Sequence, residues 1–300
     1  MGKNRLPYDP ARAARADVAS RVVHGTQRHD VKHLQFPPIT SVATETAYRS
    51  STTQFARSLW KNQRIKLLRS ELSHAMGWLN ERASFVRQKT LDLDRQALSH
   101  KFSDRIPWVK SQVPDLVKWR PYQPKQIELL MEEARSNEDL PIAICTTAGV
   151  RTMELVTICK AGDHAESERD WPERFLGRET WVPYVVHGKG NLFREIRVPL
   201  EISEALEKVR RPQPVRVASR EQKYWSYYDI LGGQRFGQAF SRLSVRALGW
   251  STGAHGLRHS FARFRFIELL EHGLDENLAV RVLAGELGHF SVKNTLGYLG

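Results

Sequence analysis

Four short stretches of this chain hold residues whose types and spacing could grip and act on an anion. In the first, Thr146-Thr147-Ala148-Gly149-Val150-Arg151, a Gly-containing turn leads into an apolar helix with Arg151 at its start. An arginine there opposes the helix dipole, so its placement calls for a reason such as an anionic ligand. Alone, it also fits an ordinary surface arginine near a cap. In the second, Lys189 stands between Gly188 and Gly190 at the tip of an expected hairpin. Flanking glycines let the backbone approach a partner closely, and Lys is a compact donor of three protons. A solvated turn lysine would look the same. In the third, His255-Gly256-Leu257-Arg258-His259 opens a helix, and His255 and Arg258 share a face three residues apart. A bidentate guanidinium beside an imidazole makes a phosphate-gripping pair. His255 and His259 also have the spacing of a zinc pair, but no Cys or acidic group nearby completes one. In the fourth, Leu287-Gly288-His289 is followed by Tyr298. Separately these are a helix-end histidine and a packing tyrosine.

Several elements must position these groups. Residues 125–136 and 151–159 have helical patterns. Residues 180–186 and 192–198 are β-rich around His187-Gly188-Lys189-Gly190-Asn191, a hairpin signal. Residues 201–211, 236–248 and 255 to about 272 return to helix, and 212–234 is aromatic, basic and without a clear pattern. Upstream, Ile65, Leu68, Leu72, Met76 and Leu79 recur at helical steps and are expected on one helix face. Pro107, Pro114, Pro121 and Pro124 resist a continuous helix and mark a linker. The expected organisation is a basic N-terminal arm at 1–39, an all-helical module at 40–104, a linker at 105–124 and a second domain at 125–300. The fold class is mainly α with a small β-hairpin or sheet (α+β).

Charge is distributed unevenly. The chain carries a formal net charge of +13, yet residues 1–110 hold 20 Lys/Arg against 9 Asp/Glu, and the remainder is nearly balanced. That field suits a polyanion, because Lys and Arg that neutralise phosphates release condensed counterions. No apolar run approaches the ~18 residues of a membrane span, and the first thirty residues lack the apolar core of a secretory signal. A soluble, cytoplasmic protein is expected. Cys145 and Cys159 lie in apolar surroundings without metal-ligand spacing and are read as buried structural thiols.

Taken in order, the four stretches resemble the tyrosine recombinase (phage integrase) family of site-specific DNA recombinases. Ala148-Gly149-Val150-Arg151-Thr152-Met153-Glu154-Leu155 matches the family's arginine turn, and Lys189 its hairpin lysine. The His255–His259 box and Leu287-Gly288-His289 with Tyr298 nine residues later complete the pattern. The resemblance implies that the 40–104 module is a core-binding domain and 125–300 the catalytic domain, closing on DNA as a clamp. It implies cleavage through a covalent 3′-phosphotyrosine at Tyr298, with Arg151 and Arg258 neutralising the phosphate and His255 accepting the phenol proton. Lys189 would protonate the departing 5′ oxygen, His289 would hydrogen-bond the phosphate, and Glu154 would orient neighbours. Because the phosphotyrosine conserves bond energy, neither ATP nor a metal cofactor is then required. The implied partners are duplex DNA at specific recombination sites, DNA-bending accessory proteins, and three further copies of the chain in a synaptic tetramer. The implied place is the prokaryotic cytoplasm at the nucleoid, for a prophage or mobile element.

Relatives commonly continue past the nucleophile into a tail that packs on a neighbouring protomer, whereas here two residues follow Tyr298. Either the sequence continues beyond Gly300 in the whole protein, or the tetramer is built through another contact. Two other readings use overlapping features: type IB topoisomerase-like DNA relaxation, and a DNA-binding protein without catalysis.

Overall fold

Asp9 and Pro10 begin the first helix: the Asp9 carboxylate accepts the backbone N–H of Ala11 at 2.8 Å, and Pro10 occupies the first turn, where no N–H is needed. A computed structural model describes the chain except residues 1–6, 24–25, 27, 32, 115–120, 189–190, 220–221, 290 and 300. It divides into two units, Met1–Val117 and Lys118–Gly300.

The first unit is helical: α1 (Pro10–Ala19), α2 (Arg28–Val31), α3 (Val42–Gln63), a 3₁₀ turn at Leu67–Arg69, α4 (Leu72–Arg82) and α5 (Gln88–Phe102). Ala14, Phe55, Leu59, Leu67, Leu79 and Leu98 share its apolar core. Within it, Arg82 Nε donates to Asp94 at 2.7 Å and Ser51 Oγ donates to the other Asp94 oxygen, so the buried charge is paired and hydrogen-bonded. Three expectations differ from the structure. Part of the expected arm is α1, whose Ala14 belongs to this core and whose Val18 is also buried. The expected single stripe is interrupted between Ile65 and Leu72, where extended Lys66 and Ser70 flank the 3₁₀ turn. Leu67 is consequently the buried residue, and Leu68 is 89% exposed. Of the expected linker, residues 105–114 pack within this unit through Ile106 and the Ser111 hydroxyl, which donates to the Val86 carbonyl at 2.6 Å.

The second unit runs α6 (Pro124–Glu132), α7 (Asp139–Ala148), α8 (Thr152–Thr157), β1 (Cys159–Lys160), β2 (Val182–His187), β3 (Phe193–Val198), α9 (Leu200–Lys208), β4 (Arg210–Ser219), β5 (Gln222–Tyr228), α10 (Gly233–Leu248), α11 (His255–Glu271), α12 (Glu276–Leu287) and α13 (Val292–Leu299). Strands β1, β2 and β3 form an antiparallel sheet in that order, and the β2–β3 register runs from Val182↔Val198 to His187↔Phe193. The fold class is mainly α with this small sheet.

Ile142, Leu155, Tyr184, Ile196, Phe236 and Leu257 belong to one core, and Phe261, Leu269, Val282 and Leu287 to a second. Tyr122, from the end of the expected linker, is fully buried, and its N–H donates to Ser260 Oγ at 2.7 Å. Cys145 and Cys159 are buried and unbridged, and burial pushes the Cys159 thiol up to about 11. The unassigned stretch at 212–234 is mostly the β4–β5 ribbon. Pro212 and Pro214 argue against a strand by sequence, but they stand exposed where the ribbon's register shifts between Arg210 and Val215.

Candidate active site

Gly149 ends α7 at φ +59°, and a Cβ there would overlap the Phe261 ring, so glycine is required twice over. The turn it permits places Arg151 as the N-cap of α8. The dipole conflict anticipated for this arginine is answered by Glu154, one turn into the helix. Glu154 Oε2 accepts the Arg151 backbone N–H at 2.8 Å, and Oε1 accepts Arg151 Nη1 at 2.6 Å. Arg151 Nε and Nη2 make no hydrogen bond among the described residues, and its side chain is 28% exposed.

Glu154 is buried and serves three arginines. Besides Arg151, Arg194 Nη2 donates to Oε2 at 2.7 Å, and Arg258 Nη1 lies 3.8 Å from the same oxygen. Burial alone would raise this carboxyl; Arg194, Arg258 and Arg151 overcome it and hold the pKa at about 2. Arg258 is fully buried. It donates through Nη1 to the Gly149 carbonyl and through Nη2 to the Leu287 carbonyl at 2.6 Å. Burial and then Arg151 lower its pKa to about 10, which leaves it charged at neutral pH.

His289 Nε2 lies 3.2 Å from Arg258 Nη2, and Nδ1 lies 2.8 Å from Thr295 Oγ1. Arginine can only donate, so Nε2 accepts and Nδ1 carries the proton. Burial, then Arg258, Arg151 and Arg194, depress the imidazole to about 3. The unfolded chain takes up this proton near 6.5 and the folded chain resists it until about 3. His289 therefore contributes its stability in full above about 6.5, and the contribution is lost as pH falls toward 3. Urea unfolding of the DNA-free protein between pH 7 and pH 5 should show less acid-dependent loss in His289→Gln than in the parent. Identical slopes in the two proteins would contradict this environment.

Tyr298, on α13, brings its Oη within 3.1 Å of His255 Nε2. Its ring stacks on His259 at 4.3 Å between centroids, and the Arg258 guanidinium carbon lies 5.7 Å from the ring centre. His255 is exposed and His259 is buried. Arg263 Nη1 donates to the Leu299 carbonyl at 3.1 Å and ties down the end of α13.

No protein-family model matches the chain, and no curated protein matches it in sequence. Solved structures do match it in fold. A lambda integrase dimer bound to a COC′ core site gives a TM-score of 0.59 at 15% identity, over 97% of this chain and 76% of that one. The XerH site-specific recombinase in its post-cleavage complex with a palindromic difH substrate gives 0.56 at 14%, over 97% and 90%. The Tn1549 transposon integrase in complex with circular intermediate DNA gives 0.54 at 17%, over 97% and 94%. The chain has the tyrosine-recombinase fold.

In this tyrosine-recombinase fold, Arg151, Arg258, His289, His255 and Tyr298 are brought together, whereas Lys189 lies outside the described residues. The described ends of its loop are pinned. Gly188 N–H donates to the Leu192 carbonyl at 2.7 Å, and His187 Nε2 lies 2.7 Å from Asn191 Oδ1. A Cβ on Gly188 would come within 2.9 Å of Glu154 Oε1, so the backbone passes directly against the Arg151–Glu154 pair.

Two contributors were not identified from the sequence. Arg194 is buried on β3 on the same inward face as Ile196 and Val198, and a cation on the inward phase of a strand was the available signal. Its Nη1 donates to the Glu286 carbonyl at 2.7 Å. The Glu286 carboxylate is bound by buried Arg265, with Nη2 to Oε1 at 2.8 Å, so α12 is fastened to β3 and α11 at once. Thr295 had no signal beyond its place near Tyr298; His259, the last residue of the His255–His259 box, supplies the ring on which Tyr298 stacks.

Proposed function

We propose that this chain is a site-specific tyrosine recombinase that cleaves and rejoins DNA through a covalent 3′-phosphotyrosine at Tyr298. The observation that carries the proposal is the 3.1 Å approach of Tyr298 Oη to His255 Nε2 beside two arginines organised by one buried carboxylate. With Nε2 unprotonated, the phenol donates to it, and His255 receives the proton as oxygen attacks phosphorus. Arg151 turns Nε and Nη2, which no protein group occupies among the described residues, toward the non-bridging oxygens. Arg258 supplies a second fixed positive charge. A bound phosphate offsets the field of Arg258 and Arg151 at His289, and His289 hydrogen-bonds the phosphate. Lys189 protonates the departing 5′ oxygen. A free 5′-hydroxyl from another strand reverses the attack, with total bond energy conserved and without ATP or a metal cofactor.

The partner is duplex DNA at specific sites, with four copies of the chain on synapsed DNA and accessory proteins that bend it. The role is integration or excision of a prophage or mobile element in a prokaryotic cytoplasm. In the first unit, Lys61, Arg64, Lys66 and Arg69 are exposed, and none is paired with a carboxylate among the described residues. Arg15, Arg49 and Arg57 line a groove of about 450 Å³ between α1 and α3. Both features supply cations for phosphate contacts. No helix among the described residues is long and apolar enough to cross a membrane.

The test is incubation with nicked duplexes, pooled from DNA flanking the gene, in EDTA. A covalent adduct and strand exchange between duplexes support recombination. Relaxation of supercoils without exchange would support the topoisomerase reading, and salt-sensitive binding without an adduct would support the non-catalytic one.

A further inference from the structure

The β4–β5 ribbon plays no part in the chemistry at Tyr298, yet one of its faces has the composition of a contact surface. The register pairs Arg216 with Trp225 and Ala218 with Lys223. Side chains alternate along a strand, so these four share one face, and Val217, Tyr224 and Ser226 share the other. The second face turns toward the body of the unit. Ser226 is buried, and the half-buried Tyr224 ring meets His187 edge-on with centroids 6.2 Å apart. The first face is in water: Arg216, Ala218 and Lys223 are exposed, and Trp225 is 49% exposed. The Arg216 guanidinium lies 4.5 Å from the centre of the Trp225 ring.

Charge separates the tip of the ribbon from its base. At the base, Arg210 is paired with Asp163 and Arg211 with Asp229. Neither Arg216 nor Lys223 is paired with a carboxylate among the described residues, and β4 and β5 contain no Asp or Glu. Two cations without a carboxylate partner among the described residues, beside an exposed indole, mark a face that a polyanion with apolar edges would complete.

We infer that this face docks on duplex DNA outside the cleavage site, an inference that rests on the recombinase reading above. Arg216 and Lys223 contact phosphates, and Trp225 packs its ring on the deoxyribose edge between them. As diagonal neighbours their backbone positions are about 7–8 Å apart, which allows both to serve one strand. Two strands about 4.8 Å apart make a ribbon narrow enough for the ~12 Å major groove. The position adds a consequence for the reaction. The ribbon is tied by Tyr224 to His187 at the root of the Lys189 loop, so DNA seated on it bears directly on that loop.

The test is the salt dependence of duplex binding by the full chain. Arg216→Gln/Lys223→Gln should lower the slope of log K against log salt by about 2, at about 0.9 per phosphate contact. Trp225→Ala should weaken binding about fivefold with the slope unchanged. Lys125→Gln/Lys208→Gln removes the same charge from exposed positions on α6 and α9 and should lower the slope by less than about 1. Unfolding midpoints matching the parent establish that these surface variants are folded. A slope unchanged in the ribbon variant, or lowered equally in the control, overturns the inference while leaving the recombinase reading intact. Loss confined to single-stranded DNA also overturns it. Absence of salt-dependent duplex binding by the parent protein overturns both readings.

Discussion

Arg258→Lys is expected to slow formation of the covalent adduct by about 10²–10³-fold, the usual cost of losing one fixed donor to developing charge. Lysine keeps the charge but replaces a planar fork with one nitrogen. The fork here has two protein duties, to the Gly149 and Leu287 carbonyls, while its charge faces the site. A single ammonium cannot reproduce both bonds and the charge placement. One buried carbonyl is left unpaired, at about 1–3 kcal/mol. Single-turnover cleavage of a nicked duplex measures the rate, and a thermal melt separates it from loss of fold. A Lys variant within tenfold of the parent would show that the fork is not what the reaction uses.

Arg194→Met is expected to destabilise the protein by about 3–5 kcal/mol, because it strips a partner from a buried carboxylate. Glu154 loses the 2.7 Å bond to Arg194, and the Glu286 carbonyl loses its donor in the same step. For a unit of this size that corresponds to a fall in Tm of roughly 6–20 °C. Arg194 is the first of the cations that hold Glu154 at about 2, so its removal raises that pKa. The sign follows from linkage. Glu154, depressed from 4.5, contributes stability in full above that value and loses it as pH falls toward 2. In Arg194→Met the acid-induced loss becomes shallower, on a lower plateau at neutral pH. Arg194→Met/Glu154→Gln should cost less than the sum of the single changes. A Tm within about 2 °C of the parent would contradict the buried network.

The contrast between Arg151 and Arg194 shows what the sequence could carry. Arg151 follows a glycine turn and precedes an apolar helix, so local pattern placed it. The β2–β3 hairpin was legible for the same reason, and it starts and ends within two residues of the expected bounds. Arg194 is defined by partners 40 and 92 positions away, and nothing local announces such contacts. Periodicity also misled where backbone geometry intervened. Leu68 has the right spacing for a helical stripe, but the 3₁₀ turn at Leu67–Arg69, set between extended Lys66 and Ser70, buries Leu67 instead. The β4–β5 ribbon escaped because its prolines suggest irregular chain. Helix α1 was not legible in the basic, proline-bearing arm because it has no sustained apolar period; its small residues pack against α3 and the 3₁₀ turn.

The most direct measurement is adduct formation by the parent and by Tyr298→Phe on the same nicked duplex, followed by peptide mapping. Phenylalanine keeps the ring that stacks on His259 and removes only the hydroxyl beside His255. We expect the parent to yield an adduct on the peptide containing Tyr298, and Tyr298→Phe to bind duplex with unchanged affinity and yield none. An adduct that persists in Tyr298→Phe, or that maps to another residue in the parent, would contradict Tyr298 as the nucleophile.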